Sequence, residues 1–551
     1  MGGERHTRRR KTWLAGAAAL ALAGAGTAAW AVVTPGEEAP RTGPLSAAEV
    51  RSAATGFLDA WADGDAGRAA SRTDDEKAAK AALRDYLDSA RLSPVTIRPG
   101  APRGTRVPYA VRAEFRYDGA RAPLTYEDAL TVVRRAGDGK AVVRWAPSVL
   151  HPRLDAGERL SVRDTGPAPV RATDRDGRTL DTGDFPSLAP VVAGLGRAYG
   201  KAAGGRPGLE LRVVPEGGAG GDAEPPAGET LLEVAEGRPG KVRTTIDPTV
   251  QKAAEEEVAK RSDASIVVLK PSTGEVLAVA NSRTDGPNTA LEGRLAPGST
   301  MKMITASLLL EKKLATPDAP HPCPKNASYG GWTFHNVDDF EIPGGTFRAD
   351  FAASCNTAFI TQAGKLADDD LPRQAREVFG IGTRWSVGVD AFDGSVPVQH
   401  AASKAAALIG QGEVRMNPLT MASVISTART GTFRQPYLVA PSVDHRELAK
   451  AARTLDPTAH RRLRDLLHTT ATSGSASGAM AGLSGDIGAK TGSAEVVGQE
   501  DPNGWFAAWH GDLAAAAVMQ RGGRGGESSG PLVAAVLKAV DKGDEGDEGD
   551  D

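Results

Sequence analysis

The sequence predicts a multidomain α+β protein with a membrane anchor at its N-terminus and its largest domain at its C-terminus. Three observations carry that expectation. The chain has 551 residues, more than one core organises at a usual domain size of about 100–200 residues. A basic cluster, Arg5, Arg8, Arg9, Arg10 and Lys11, precedes an uncharged Ala-rich run from Trp13 to Val33. Past Thr244 the texture changes to helix and strand patterns in alternation.

The apolar run is about twenty residues, enough to span a bilayer, and the basic cluster should stay on the cytoplasmic side. Residues 1–34 are therefore expected to be a tail and single-pass anchor with the bulk of the chain extracellular. A cleaved signal is the competing expectation, because Ala29-Trp30-Ala31 precedes Pro35. Arg8-Arg9 gives only weak support to twin-arginine export. No cysteine follows the run to carry a lipid.

Residues 45–148 read as a helix followed by a meander. Ser46 and Glu49 form a capping box ahead of Val50, Ala53, Phe57, Leu58 and Trp61 at helical spacing. Tyr109 to Tyr117 alternate, Asp118-Gly119 turns, and apolar runs follow at Leu130–Val133 and Ala141–Trp145. No nucleophile or metal cluster stands out there, so the unit reads as a spacer. Residues 149–240 show thin signals, an Asp174-Arg175-Asp176-Gly177 turn, and a flexible link at Gly217–Gly221 and Pro225-Pro226. Residues 241–542 form the largest domain, with a helix at Thr249–Ala259 and strands at Ala264–Leu269 and Val276–Ala280. The acidic end, residues 543–551 and the two or so before them, is expected to be disordered.

Apolar content of 40% and charged content of 25% are ordinary, and a net charge of −3 offers no basic field for nucleic acid. The nine histidines form no His-x-x-x-His helix pair, so no metal or cofactor is expected. Two cysteines exclude a disulfide scaffold. Cys323 and Cys355 read most simply as separate thiols; in an oxidising compartment they can pair, closing a loop of about thirty residues.

Chemistry concentrates in three short sequences: Ser299-Thr300-Met301-Lys302, Ser354-Cys355-Asn356 and Lys490-Thr491-Gly492-Ser493. Pro297-Gly298 breaks the chain before Ser299, and Met301 to Leu310 is apolar apart from Lys302. This places Ser299 at a helix N-terminus with Lys302 one turn on, along the same face. A serine hydroxyl needs a neighbour to take its proton, and a lysine can do so only when neutral. Burial and a second cation both lower a lysine pKa, and Lys490 is the candidate cation. Ser-x-x-Lys alone occurs by chance about once in a chain of this length. The joint occurrence is the strong evidence, and it points to acyl transfer.

In this order the motifs resemble those of penicillin-binding proteins and serine β-lactamases. Gly410-Gln411-Gly412, Asn417-Pro418-Leu419 and Asn503-Gly504-Trp505-Phe506 add to the resemblance. Trp145 to Pro152 and the Asp174–Gly177 turn look like class B members, and the helix and meander of residues 45–148 suit the cone-shaped domain, similar to nuclear transport factor 2, that a subset of these carries. The family's Arg-Gly before that turn is replaced by Ala168-Pro169-Val170, and residues 149–240, which the resemblance implies are the family's dimerisation or pedestal domain, are shorter than usual. The resemblance implies an antiparallel sheet flanked by helices in the C-terminal domain. It also implies a D,D-transpeptidase cross-linking peptidoglycan stem peptides. Ser299 attacks, Lys302 takes its proton, Ser354 and Lys490 relay a proton, and Asn356 binds the substrate amide. Thr491 and Ser493 hold the terminal carboxylate, and Gly492 leaves room for substrate along the strand. β-Lactams become covalent inhibitors, and a glycosyltransferase of wall synthesis an expected partner. A D,D-carboxypeptidase, a β-lactamase-like hydrolase, and a non-enzymatic β-lactam sensor or scaffold are the alternatives. No glutamate is assignable to a deacylating water, and an intact motif set argues against a dead fold.

Overall fold

The computed structural model describes residues 42–216 and 228–546. The expected anchor, the Gly217–Pro226 link and the last acidic residues lie outside them. Among the described residues, no helix is long and apolar enough to cross a membrane.

The chain divides into two compact units. The first holds the described residues up to Arg84 with Pro94–Ala113 and Thr125–Ala156; the second holds Asp85–Ser93, Glu114–Leu124 and everything described from Gly157 on. In the first, helix α1 (Ala47–Ala62) begins at the expected capping box: Glu49 N–H donates to Ser46 Oγ, and Ser46 N–H to the Glu49 carboxylate at 2.9 Å. Its apolar stripe, including Phe57, Leu58 and Trp61, is buried. Strands β1 (Leu92–Pro99), β2 (Arg106–Tyr117), β3 (Ala120–Arg134) and β4 (Ala141–Val143) form a sheet in that order. Trp61 meets Tyr109 edge to face at 6.2 Å. The expected meander is β2 to β4. Strand β1 is an addition, hidden in sequence by Pro94 and Pro99, which an edge strand tolerates.

The second unit begins more regular than its sequence texture. Strands β5 (Glu158–Asp164), β6 (Val170–Thr173), helix α2 (Ala189–Tyr199), β7 (Leu209–Pro215), β8 (Thr230–Ala235) and β9 (Gly240–Arg243) build a three-stranded sheet, β5-β7-β8, and a parallel β6·β9 pair. These strands are short and pair across long sequence gaps, Ser161 with Arg212 and Val170 with Gly240, so no local period announces them. The Asp174 turn joins this region to the larger domain. Buried Asp174 accepts the Asp176 and Arg178 N–H groups at 2.9 Å each, and Arg175 reaches Glu275 at 3.3 Å.

Helix α3 (Pro248–Val258) opens the large domain under an Asp247 cap. Strands β10 (Ala264–Lys270) and β11 (Glu275–Asn281) form a hairpin, followed by helix α4 (Lys302–Glu311) and the short hairpin β12 (Asn326–Tyr329) and β13 (Trp332–His335). Helices α5 (Phe347–Ala352), α6 (Pro418–Thr430) and α7 (Pro457–Thr472) precede β14 (Ile487–Ala494), β15 (Asn503–His510), β16 (Leu513–Met519) and helix α8 (Ser529–Gly546). The five long strands form one antiparallel sheet, β11-β10-β16-β15-β14.

Its strands are Ala-rich because both faces are covered and helices approach closely. Trp505, Ala507 and Trp509 face one core with α4, α6 and α7; Phe506 and Ala508 face the other with α3 and α8. Helix α8 corrects the tail expectation, since it continues through Gly546 rather than ending near Asp541. Once a helix is nucleated each further residue adds a hydrogen bond at little cost, so an apolar first half carries a charged continuation.

Candidate active site

The turn bearing Ser299 is fixed by glycines at two points. Gly298 has φ +53°, and a Cβ there would stand 2.3 Å from Ser493 O. Gly410 has φ +78°, and its Cβ would stand 2.0 Å from Gly298 O. Gly298 N–H donates to Gly410 O at 3.0 Å. Only residues without a side chain fit these approaches. They press the nucleophile's turn against the end of β14. A 3₁₀ turn over Gly298–Met301 leads into α4, placing Lys302 under Ser299.

Lys302 is wholly buried. Its Nζ lies 2.7 Å from Ser354 O, 2.7 Å from Asn356 Oδ1 and 3.0 Å from Ser299 Oγ. Both the carbonyl and the amide oxygen can only accept. In its neutral form this amine would give them its two N–H groups and turn its lone pair to the Ser299 hydroxyl. Burial, and next the charge of Lys490, holds the Lys302 pKa well below the ordinary lysine range.

Ser354 adopts φ +61°, a left-handed conformation uncommon for serine. That kink aims its carbonyl at Lys302, while its hydroxyl lies 3.4 Å from Lys302 Nζ and 2.8 Å from Lys490 Nζ. Lys490 is also wholly buried, donates to Thr491 O at 3.0 Å, and is pushed down to about 7 by burial. The buried rings of Phe359 and Phe351 lie 5.4 Å from Lys302 Nζ and 5.7 Å from Lys490 Nζ respectively.

The third motif lies on β14, paired with β15 through Lys490↔Ala507, Thr491↔Phe506, Gly492↔Trp505 and Ser493↔Gly504. A Cβ at Gly492 would stand 3.0 Å from Pro297 O and Thr300 N, so Gly492 lets β14 approach the nucleophile's own turn. All eight predicted residues of the three motifs therefore converge. Cys323 and Cys355 form a disulfide, which sets aside the simpler reading of two separate thiols. Pairing follows from the fold, which brings Cys323 beside the loop of the second motif.

The sequence reading lacked Asn336 and Ser475. Buried Asn336 accepts the N–H groups of Asn356 and Thr357 at 2.7 and 3.0 Å and donates to Phe340 O at 2.8 Å, tying down the second motif. Ser475 Oγ lies 2.8 Å from Thr491 Oγ1. Neither stands in a pattern that sequence alone distinguishes.

Residues 264–538 match the penicillin binding protein transpeptidase domain. This part of the chain belongs to that family. The chain is 28% identical over 365 residues to the peptidoglycan D,D-transpeptidase PbpA of Mycolicibacterium smegmatis, covering 55% of this chain and 73% of that protein. It is 27% identical over 369 residues to PbpA of Mycobacterium tuberculosis, covering 56% and 73%. Among solved structures, penicillin binding protein 3 of Mycobacterium tuberculosis shares the fold at TM-score 0.53 and 20% identity, over 70% of this chain and 97% of that one. Pseudomonas aeruginosa PBP2 in complex with WCK 5153 matches at TM-score 0.53 and 20% identity, over 68% and 97%. These relatives support the class B penicillin-binding-protein transpeptidase resemblance read from the motifs.

Proposed function

We infer that this penicillin-binding protein is a serine D,D-transpeptidase acting on peptidoglycan stem peptides through an acyl-enzyme on Ser299. The observation that carries the reading is the Lys302 amine, buried, bonded to Ser354 O and Asn356 Oδ1, and 3.0 Å from the Ser299 hydroxyl. Ser299 Oγ attacks the carbonyl of the penultimate D-alanine as Lys302 takes the hydroxyl proton. The oxyanion is met by the N–H groups of Ser299 and Ser493, each of which typically contributes about 100 to 1000-fold in rate. The bond to the terminal D-alanine breaks as its nitrogen gains a proton through Ser354, between the two lysines. An amine of a second stem peptide then attacks the ester and regenerates Ser299.

Asn356 binds the substrate amide, and Thr491 and Ser493 the terminal carboxylate, with Lys490 adding attraction. β-Lactams enter the same path and stop at the acyl-enzyme. The Arg5–Lys11 cluster and the Trp13–Val33 run support a single-pass anchor with the catalytic unit outside the cell. The helix and meander of the first unit support a nuclear-transport-factor-2-like spacer, and a glycosyltransferase of wall synthesis is the proposed partner.

Mass spectrometry after exposure to penicillin tests the reading. The adduct is expected on the peptide containing Ser299, absent in Ser299→Ala, and lasting hours. Sub-second loss would indicate a β-lactamase, and an adduct on another residue would remove Ser299 from the mechanism.

A further inference from the structure

Ser475 lies outside all three motifs, in the segment that follows α7, yet it touches two walls of the cleft. Its side chain is exposed, and its Oγ lies 2.8 Å from Oγ1 of Thr491, which is buried. Its backbone N–H donates to Ala352 O at 2.9 Å, two residues before Ser354. A Cβ on Gly474 would stand 2.7 Å from the same Ala352 oxygen, so the segment lies directly against the end of α5, from which the chain runs into the second motif. On its other side a Cβ on Gly526 would come 3.1 Å from Ser475 O and 3.4 Å from Thr491 Cγ2. Ser475 is thus held from both sides, with its hydroxyl aimed at one partner.

A hydroxyl has one proton to donate and two lone pairs to accept with. An ionised carboxylate only accepts, so Thr491 serves it only by donating. When Ser475 donates to Thr491 Oγ1, that oxygen is satisfied and the Thr491 proton is left for a ligand. The received bond also polarises the Thr491 O–H and makes it a better donor. Without Ser475, the Thr491 oxygen loses that donor and its proton can turn to other acceptors.

We propose that Ser475 is a positioning residue for carboxylate recognition: it orients the Thr491 hydroxyl toward the free carboxylate of the substrate. This rests on the transpeptidase reading, in which Thr491 meets that carboxylate. A purely structural role for Ser475 would affect every ligand alike, whereas this role concerns one group of the substrate.

The test compares acylation of Ser299 by a penicillin bearing its free carboxylate and by the methyl ester of the same penicillin. The wild-type chain is expected to prefer the free acid. Ser475→Ala should slow acylation by the free acid about tenfold, the worth of one net hydrogen bond, and leave the ester rate unchanged. Ser475→Thr, which keeps the hydroxyl, should restore the preference. Equal slowing of both compounds by Ser475→Ala, or an unchanged ratio between them, overturns the inference while the transpeptidase reading stands. A wild-type chain acylated at Ser299 by neither compound overturns the reading and this inference with it.

Discussion

Lys490 Nζ lies 2.8 Å from the Ser354 hydroxyl oxygen, although the two residues are 136 positions apart in the chain. Lys302 Nζ lies 3.4 Å from the same oxygen, so one hydroxyl sits between two buried amines. Two adjacent charges in so dry a place repel, which disfavours both amines being protonated together. The Lys302 pKa is driven well below the ordinary lysine range by burial and by Lys490, while that of Lys490 settles near 7. The site therefore joins, through Ser354, an amine held well below the ordinary lysine range at Lys302 and one pushed down to about 7 at Lys490.

Lys302→Ala removes the base and leaves the cleft otherwise intact. Acylation by penicillin should slow by about 100 to 10,000-fold, the usual worth of a positioned general base, with non-covalent binding little changed. Stopped-flow acylation kinetics separate the two quantities. A near-normal acylation rate would assign the proton to another group.

Lys490→Met should stabilise the fold most at low pH. A buried lysine whose pKa falls from 10.5 to about 7 binds fewer protons folded than unfolded between those values, so stability rises with pH across that window. Below about pH 7 the amine is charged in both states and its burial costs most. The melting temperature of Lys490→Met should exceed that of the native chain by more at pH 6 than at pH 9. A gap that does not change with pH would mean that Lys490 is not buried in its charged form.

Gly298→Ala should abolish covalent labelling by a fluorescent penicillin. The residue has φ +53°, and a Cβ would stand 2.3 Å from Ser493 O, so the turn must move away from β14. That motion separates the N–H groups of Ser299 and Ser493. Thr300→Ser, which keeps the hydroxyl bonded to Pro297 O at 2.7 Å, should label normally and serves as the control.

The motifs were legible in sequence because their chemistry needs particular side chains at fixed local spacing. Ser299 and Lys302 share one helical turn, and Lys490 to Ser493 occupy one strand. Asn336 and Ser475 were not legible, because each acts through contacts distant in sequence: Asn336 reaches Asn356 across 20 residues and Ser475 reaches Thr491 across 16. The left-handed Ser354 was hidden for a different reason, since the conformation is imposed by surroundings rather than favoured by serine. The α1 capping box and the β10–β11 hairpin were legible because local signals agree with the tertiary fold. Strands β5 to β9 were not, because each is short and acquires its partner only from far along the chain.

The Cys323–Cys355 disulfide and the Asn336 side chain hold the same segment in different ways, and two variants should separate them. The disulfide constrains the unfolded chain: its partners are 32 residues apart, and closing a loop of that size is worth about 3–4 kcal/mol in the chain-entropy account. Asn336 acts on the folded site, satisfying the N–H groups of Asn356 and Thr357 directly. Replacing both cysteines by alanine should therefore lower the urea midpoint of the catalytic domain while acylation stays within about tenfold, since Asn336 still fixes the backbone around Asn356. Asn336→Ala should slow acylation more than the cysteine pair does, because Asn356 then loses its register against Lys302. Stability should fall too, by roughly 1–3 kcal/mol for each buried group left unpaired. Denaturant titrations and acylation rates measured on the same samples distinguish these patterns. If the cysteine variant loses acylation as severely as Asn336→Ala, the disulfide itself holds the catalytic geometry.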